Sequence, residues 1–346
     1  MYFYNIVTCI ISRVVYFFFA RSRESKWASQ RVRSLEVALG GRLDDATFHK
    51  IVNSYAIYNP VVCEAFTALR KRGSCDVEKE RLLHYFICSS LFDNFCDRNE
   101  LTQEALYQIS FAPETYTPRC FDEQLFVQAH RFLWTQVVDK VSYQQAMQGV
   151  FQSQIDSLKQ FDAAITAEDI RQITFRKGGY AVFLCHFYLD DPASEPEQQC
   201  WFQLGGIIQL INDLFDIYKD YQEGIATLPN RMTDAYAFYT GYMELVQNIK
   251  RTISQLPFAP AAKRYLTVSI IGICAVGATA IRQLQALQGD AERLPDLRRL
   301  PRKALIIDME QPKNMWYCIR WIYRHARPQA TVIQMSESRG AVAGVR

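Results

Sequence analysis

The stretch Ile211-Asn212-Asp213-Leu214-Phe215-Asp216-Ile217-Tyr218-Lys219-Asp220 decides how this chain is read. On an α-helix, residues four apart stand one turn above each other on the same face. Asn212, Asp216 and Asp220 therefore form a ladder of oxygen donors, flanked by Gln209 and Asp213. The surrounding sequence is apolar, with Trp201, Phe202, Leu204, Ile207 and Ile208 leading in and Leu214, Phe215 and Ile217 between the donors. A helix that is apolar on most sides is largely buried, and buried carboxylates are costly unless a cation meets them. Mg2+ accepts such oxygens, usually one or two carboxylates together with substrate phosphates. The segment predicts one half of a metal–diphosphate site. A competing reading is a solvated acidic face, with Lys219 pairing locally for about 0.2–0.5 kcal/mol.

The other half stands about a hundred and twenty residues earlier, in Cys88-Ser89-Ser90-Leu91-Phe92-Asp93-Asn94-Phe95-Cys96-Asp97-Arg98-Asn99-Glu100. Asp93 and Asp97 are again one turn apart, Glu100 continues their face, and the preceding Leu82–Ile87 run has the apolar density of a core helix. Two such helices facing each other across a cavity can hold metal between them, as helix bundles do.

Composition bounds the rest. The chain has 346 residues, 49% hydrophobic and 22% charged, with a net charge of +3. No basic stripe interleaves with aromatics, so nucleic-acid binding has no electrostatic support. The ten cysteines are scattered, without zinc spacing, and read as small buried hydrophobes in a reducing cytoplasm. Residues 1–20 are strongly apolar, interrupted by Asn5 and Arg13. Burying Arg13 in a bilayer is expensive, so a packed N-terminal helix is expected, with peripheral membrane contact through residues 1–20 as its competitor. The expected location is cytoplasmic, with membrane association under that second reading.

Helical periodicity dominates and predicts helices over about 3–20, 45–58, 61–71, 78–99, 121–139, 143–163, 166–189, 196–221, 231–254, 259–287 and 314–326. Pro60 is expected to break the early helical region. Within Arg171-Gln172-Ile173-Thr174-Phe175-Arg176-Lys177-Gly178-Gly179-Tyr180, cations precede a glycine pair expected to kink the helix or to admit a ligand. Aromatic residues make up 13% of the chain and can wall a cavity that shelters a carbocation, or simply fill a core.

The two ladders resemble the metal-binding motifs of the class I terpenoid synthase superfamily, most closely its terpene cyclases. Asp93-x-x-x-Asp97 is similar to the Asp-rich first motif. Asn212, Asp216 and Asp220 follow the register of the second, with Asp216 in place of its hydroxyl residue. Asp216-x-x-x-Asp220 also resembles the second motif of squalene and phytoene synthases.

The resemblance implies an all-α, single-domain helical bundle enclosing a central apolar cavity. Residues 41–328 would form the domain, residues 1–40 would pack on or cap it, and 329–346 would be a flexible tail. It further implies Mg2+, three ions per site, held by Asp93, Asp97, Asn212, Asp216 and Asp220. Arg176, Lys177 and Gly178 would act as diphosphate sensor, helper and carbonyl effector, and Phe92, Arg171, Tyr180, Lys219 and Tyr221 would contact the substrate.

The implied activity is ionisation and cyclisation of an allylic polyprenyl diphosphate by a terpene synthase, with a homodimer allowed. Head-to-head condensation of two prenyl diphosphates is the alternative within the superfamily, and a non-catalytic helical scaffold the alternative outside it.

Overall fold

The computed structural model describes residues 2–327, and the expected tail at 329–346 lies outside them. The described chain is all-α, as expected. In order it forms α1 (Tyr2–Leu39), α2 (Asp45–Tyr58), α3 (Glu64–Thr67), α4 (Asp76–Asp97), α5 (Gln103–Phe111), α6 (Phe121–Gln136), α7 (Lys140–Ser157) and α8 (Ala167–Phe183). There follow α9 (Glu195–Phe215), α10 (Ile217–Glu223), α11 (Leu228–Arg231), α12 (Ala235–Gln255), α13 (Pro260–Gln288), α14 (Arg302–Leu305) and α15 (Pro312–His325).

The N-terminal helix extends well beyond residue 20. Ala28 and Val32 keep the four-residue spacing of buried positions, and Gly40 at φ +69° ends it. It packs on α2, α13 and α15. Arg13 lies against the protein interior, donating to Tyr265 and to the Pro60 carbonyl (3.0 Å). Pro60 does not end the helical path as expected. A wider π-helical turn over Asn59–Cys63 absorbs it and leads into α3. α13 is the one described helix long and apolar enough to cross a membrane, but 67% of its apolar window is buried inside the protein.

An ionic staple fixes the two ladder helices relative to each other. Glu78, fully buried in the first turn of α4, caps it by accepting from Cys75 N (2.8 Å). The same carboxylate takes both guanidinium nitrogens of Arg72 (2.6 Å each) and the backbone N–H of Asp190 (2.7 Å). Arg72 also holds Asp191 (2.8 Å), Arg81 holds Asp190, and Arg70 holds Glu197 (2.8 Å) in the first turn of α9. Thus α4 and α9 start from one tied corner. Asp93 lies seventeen residues into α4 and Asn212 seventeen residues into α9. At 1.5 Å per residue both ladders sit about 26 Å along their helices, and both helices line the same cavity there.

α8 lies on α9 at unusually close range. A Cβ on Gly178 would fall 2.3 Å from the carbonyl oxygen of Gly205, and one on Gly205 would fall 2.1 Å from that of Gly178. Contact this close is open only to glycine. The helix expected to kink at Gly178-Gly179 therefore runs unbroken from Ala167 to Phe183. Its glycines are matched by Gly205-Gly206 on the partner helix, against which Phe175 and Phe202 close the seam.

Candidate active site

The helices enclose a cavity of about 930 Å³. Most of its lining is apolar or aromatic, including Phe86, Phe92, Phe126, Met147 and Val268. A polar group of residues gathers where the ladders arrive: Lys50 from α2, Asp93 from α4, Lys177 from α8, and Gln209 and Asn212 from α9 all line it.

The first ladder is half in solvent. The Asp93 side chain is 38% exposed and lies 3.5 Å from the Lys50 ammonium, which also donates to Asn94 Oδ1 (3.1 Å). Asp97 and Glu100 are exposed, and Glu100 pairs with Arg98 (3.5 Å). Beneath them the Cys96 thiol is pushed up to about 12 by burial and by the charges of Asp93 and Asp97, with Lys177 and Gln154 acting the other way.

The second ladder is different. α9 ends at Phe215 and α10 starts at Ile217, yet the hydrogen bonds run on through the bend: Asp216 N donates to Asn212 O (2.9 Å) and Asp220 N to Asp216 O (2.8 Å). Asn212 and Asp216 stay exposed, while Asp213 and Asp220 are buried. Burial first, then the charge of Asp216, pushes Asp213 up to about 6, although Gln209, Lys177 and Thr174 all favour its ionised form. Gln209 Nε2 donates to one carboxylate oxygen (2.8 Å) and Thr174 Oγ1 to the other (3.3 Å). Burial and the charges of Asp213 and Asp216 push Asp220 up to about 7, and its Oδ2 has no hydrogen-bond partner.

Three carboxylates repelling one another, one with an orphaned buried oxygen, fit a hard cation. The donors are all oxygens, the set Mg2+ prefers. The acids do not, however, converge into a ready three-ion cage. Among the described residues, only Cys75, Glu78 and Asp190 bring three potential ligand atoms within 4.8 Å, and there Glu78 and Asp190 are already held by arginines in the staple.

The remaining expected residues divide clearly. Lys177 lines the cavity, and its charge acts on both Cys96 beside the first ladder and Asp213 in the second. Phe92 is buried in the cavity wall beside Phe151, with ring centroids 6.2 Å apart. Arg176 is exposed and acts instead on Asp156 of α7. Gly178 turns its carbonyl to Gly205, so it is a packing residue and not the expected effector. Arg171 lies over its own helix's Phe175 (5.2 Å), and Tyr180 wedges against Gly149 and Phe202. Lys219 is exposed near Glu223 (3.9 Å), and Tyr221 donates to the Asn230 carbonyl to hold the loop after α10. None of these six lines the cavity.

Sequence reasoning missed Lys50 and His130. Each is one polar residue among several on its helix, and only the packing of that helix reveals what it faces.

No protein-family model matches the chain, and no curated protein matches it. Among solved structures it is similar to a dehydrosqualene synthase in complex with a ligand, at 13% identity and a TM-score of 0.42, over 81% of this chain and 96% of that one. At that level the similarity carries no weight for the site.

Proposed function

We propose that this chain is a Mg2+-dependent synthase that ionises an allylic polyprenyl diphosphate and cyclises the resulting carbocation. One observation carries the reading: a mostly apolar cavity whose lining takes Asp93 and Asn212, one residue from each ladder, together with Lys50 and Lys177. A diphosphate with a greasy tail has the same division of chemistry.

In this reading Asp93, Asp97, Asn212, Asp216 and Asp220 would hold the cations. Bound Mg2+ supplies positive charge that offsets the charge of the departing diphosphate. Lys50 and Lys177 donate charge-assisted hydrogen bonds to diphosphate oxygens. Phe92 and the neighbouring rings keep water away from the cation and face it with π density. At about 930 Å³ the cavity is near the upper end of the roughly 300–1,000 Å³ spanned by ligand sites. It therefore suits a long chain folded on itself. Asn212, heading the second ladder and lining the cavity, is the residue that favours cyclisation.

A second reading, condensation of two prenyl diphosphates, is favoured by the unbroken α8, which lacks the kink expected at Gly178-Gly179. Incubation with a single prenyl diphosphate and Mg2+, followed by mass spectrometry, separates the two. Unchanged carbon number supports cyclisation, doubled carbon number supports condensation, and diphosphate release that ignores Mg2+ contradicts both.

A further inference from the structure

The same cavity contains a second polar feature that the ionisation step does not use. His130 projects from α6 into its lining and is only 5% exposed. Neither ring nitrogen has a hydrogen-bond partner. Leaving a buried polar group unpaired costs about 1–3 kcal/mol, so a neutral histidine kept in this state is an oddity of packing or a tool. Its ring stacks on Phe126, centroids 6.0 Å apart and 3° from parallel, which sets its plane. Burial lowers the imidazole to about 4 against the opposing charge of Glu114. It is therefore uncharged near neutrality, with a free lone pair. Ser110 offers the cavity another buried hydroxyl without a partner, but a hydroxyl is a far weaker proton acceptor than an imidazole.

Cyclisation and condensation share a last step. A carbocation in an apolar cavity becomes an olefin by losing a proton from a neighbouring carbon. The C–H bond breaks, its electron pair becomes the new C=C bond, and the proton passes to a lone pair. His130 is the one histidine that lines the cavity among the described residues.

We propose that His130 is the proton acceptor that ends the carbocation reaction and fixes the position of the product's double bond. The inference rests on the prenyl diphosphate reading above, but holds for either of its outcomes. No co-reactant is needed, because a desolvated imidazolium returns its proton readily to released diphosphate or to water once the cavity opens.

The test compares the full-length wild type with His130→Gln and His130→Ala, each given farnesyl diphosphate and Mg2+. Diphosphate release and product distribution are read from the same reactions, and circular dichroism checks folding. Release should stay within about threefold of wild type, since ionisation precedes the step. The share of the wild-type olefin should fall by about tenfold or more as double-bond isomers or alcohols replace it, on the scale of a lost general base. Imidazole added to His130→Ala should restore the original olefin, whereas toluene, which fills the space without a basic nitrogen, should not.

An unchanged product distribution in His130→Gln overturns the assignment. So does equal rescue by toluene, which would make the residue a packing element. Loss of release with helicity intact places His130 in ionisation and also overturns it. If the wild type itself releases no diphosphate, the parent reading fails and takes this inference with it.

Discussion

The two ladders share one spacing, and the acids Asp97 and Asp220 at the corresponding steps live in opposite environments. Asp93 and Asp97 stand at the solvent edge with Lys50 beside them. In the second ladder Asp220, and Asp213 flanking it, are buried and pushed up to about 7 and 6, largely by desolvation and by neighbouring carboxylates. Identical i, i+4 arithmetic therefore gives one ladder with an ammonium 3.5 Å from its first acid and one whose last acid is buried with an unpartnered oxygen. The second is where an arriving cation gains most, because it relieves repulsion that the protein leaves unsatisfied.

The largest effect expected from this contrast is on the second ladder. Asp220→Ala should lower Mg2+-dependent diphosphate release by about 10²–10³, the scale for removing one preorganised electrostatic group, with helicity unchanged. Exposed Asp97→Ala should cost about tenfold less. Equal losses in steady-state assays would break the comparison.

Lys177 bridges the two environments, and its replacement comes next. Lys177→Met should reduce turnover by about 10–100-fold, matching a lost charged hydrogen bond of roughly 1.5–3 kcal/mol. Arg176→Ala, on the exposed side of the same helix, should change it by less than about twofold. The reverse ranking would restore the sensor role that the sequence suggests for Arg176.

The contrast also depends on how closely α8 sits on α9. Gly178→Ala places a methyl group against the Gly205 carbonyl and should destabilise the fold by about 1–3 kcal/mol in urea denaturation. Gly272→Ala, with nothing near its Cβ, should be neutral or stabilising by up to about 1 kcal/mol. Equal behaviour of the two variants would remove the close-packing account.

The smallest effect is a pH dependence. Asp213 and Asp220 titrate above the ordinary aspartate value in the folded state. Without a cation, their contribution to stability is complete below that ordinary value and is lost as pH rises through about 6 and 7. The metal-free wild type should lose melting temperature between pH 5 and pH 8 relative to Asp213→Asn/Asp220→Asn, by a few degrees. Mg2+ with inorganic diphosphate should cancel the difference, since ligands of the folded state raise its apparent stability. A difference of the opposite sign would mean that these acids already have partners.

What the sequence made legible was periodic. The ladder residues and the core helices follow local rules of spacing. It did not disclose that the segments before α4 and α9 are joined through Glu78, Arg72 and Asp191, which is what brings the ladders level. The glycine pair in α8 was visible, but its reason lies twenty-seven residues away in Gly205-Gly206. Lys50 and His130 had no pattern at all, because facing a cavity is a property of packing.

Whether both ladders serve one Mg2+–diphosphate site is decided by isothermal titration of inorganic diphosphate into the wild type, Asp93→Ala and Asp216→Ala, with and without Mg2+. Binding should require Mg2+ in the wild type and be lost in both variants. Binding that is indifferent to Mg2+, or that survives either substitution unchanged, would contradict a shared site.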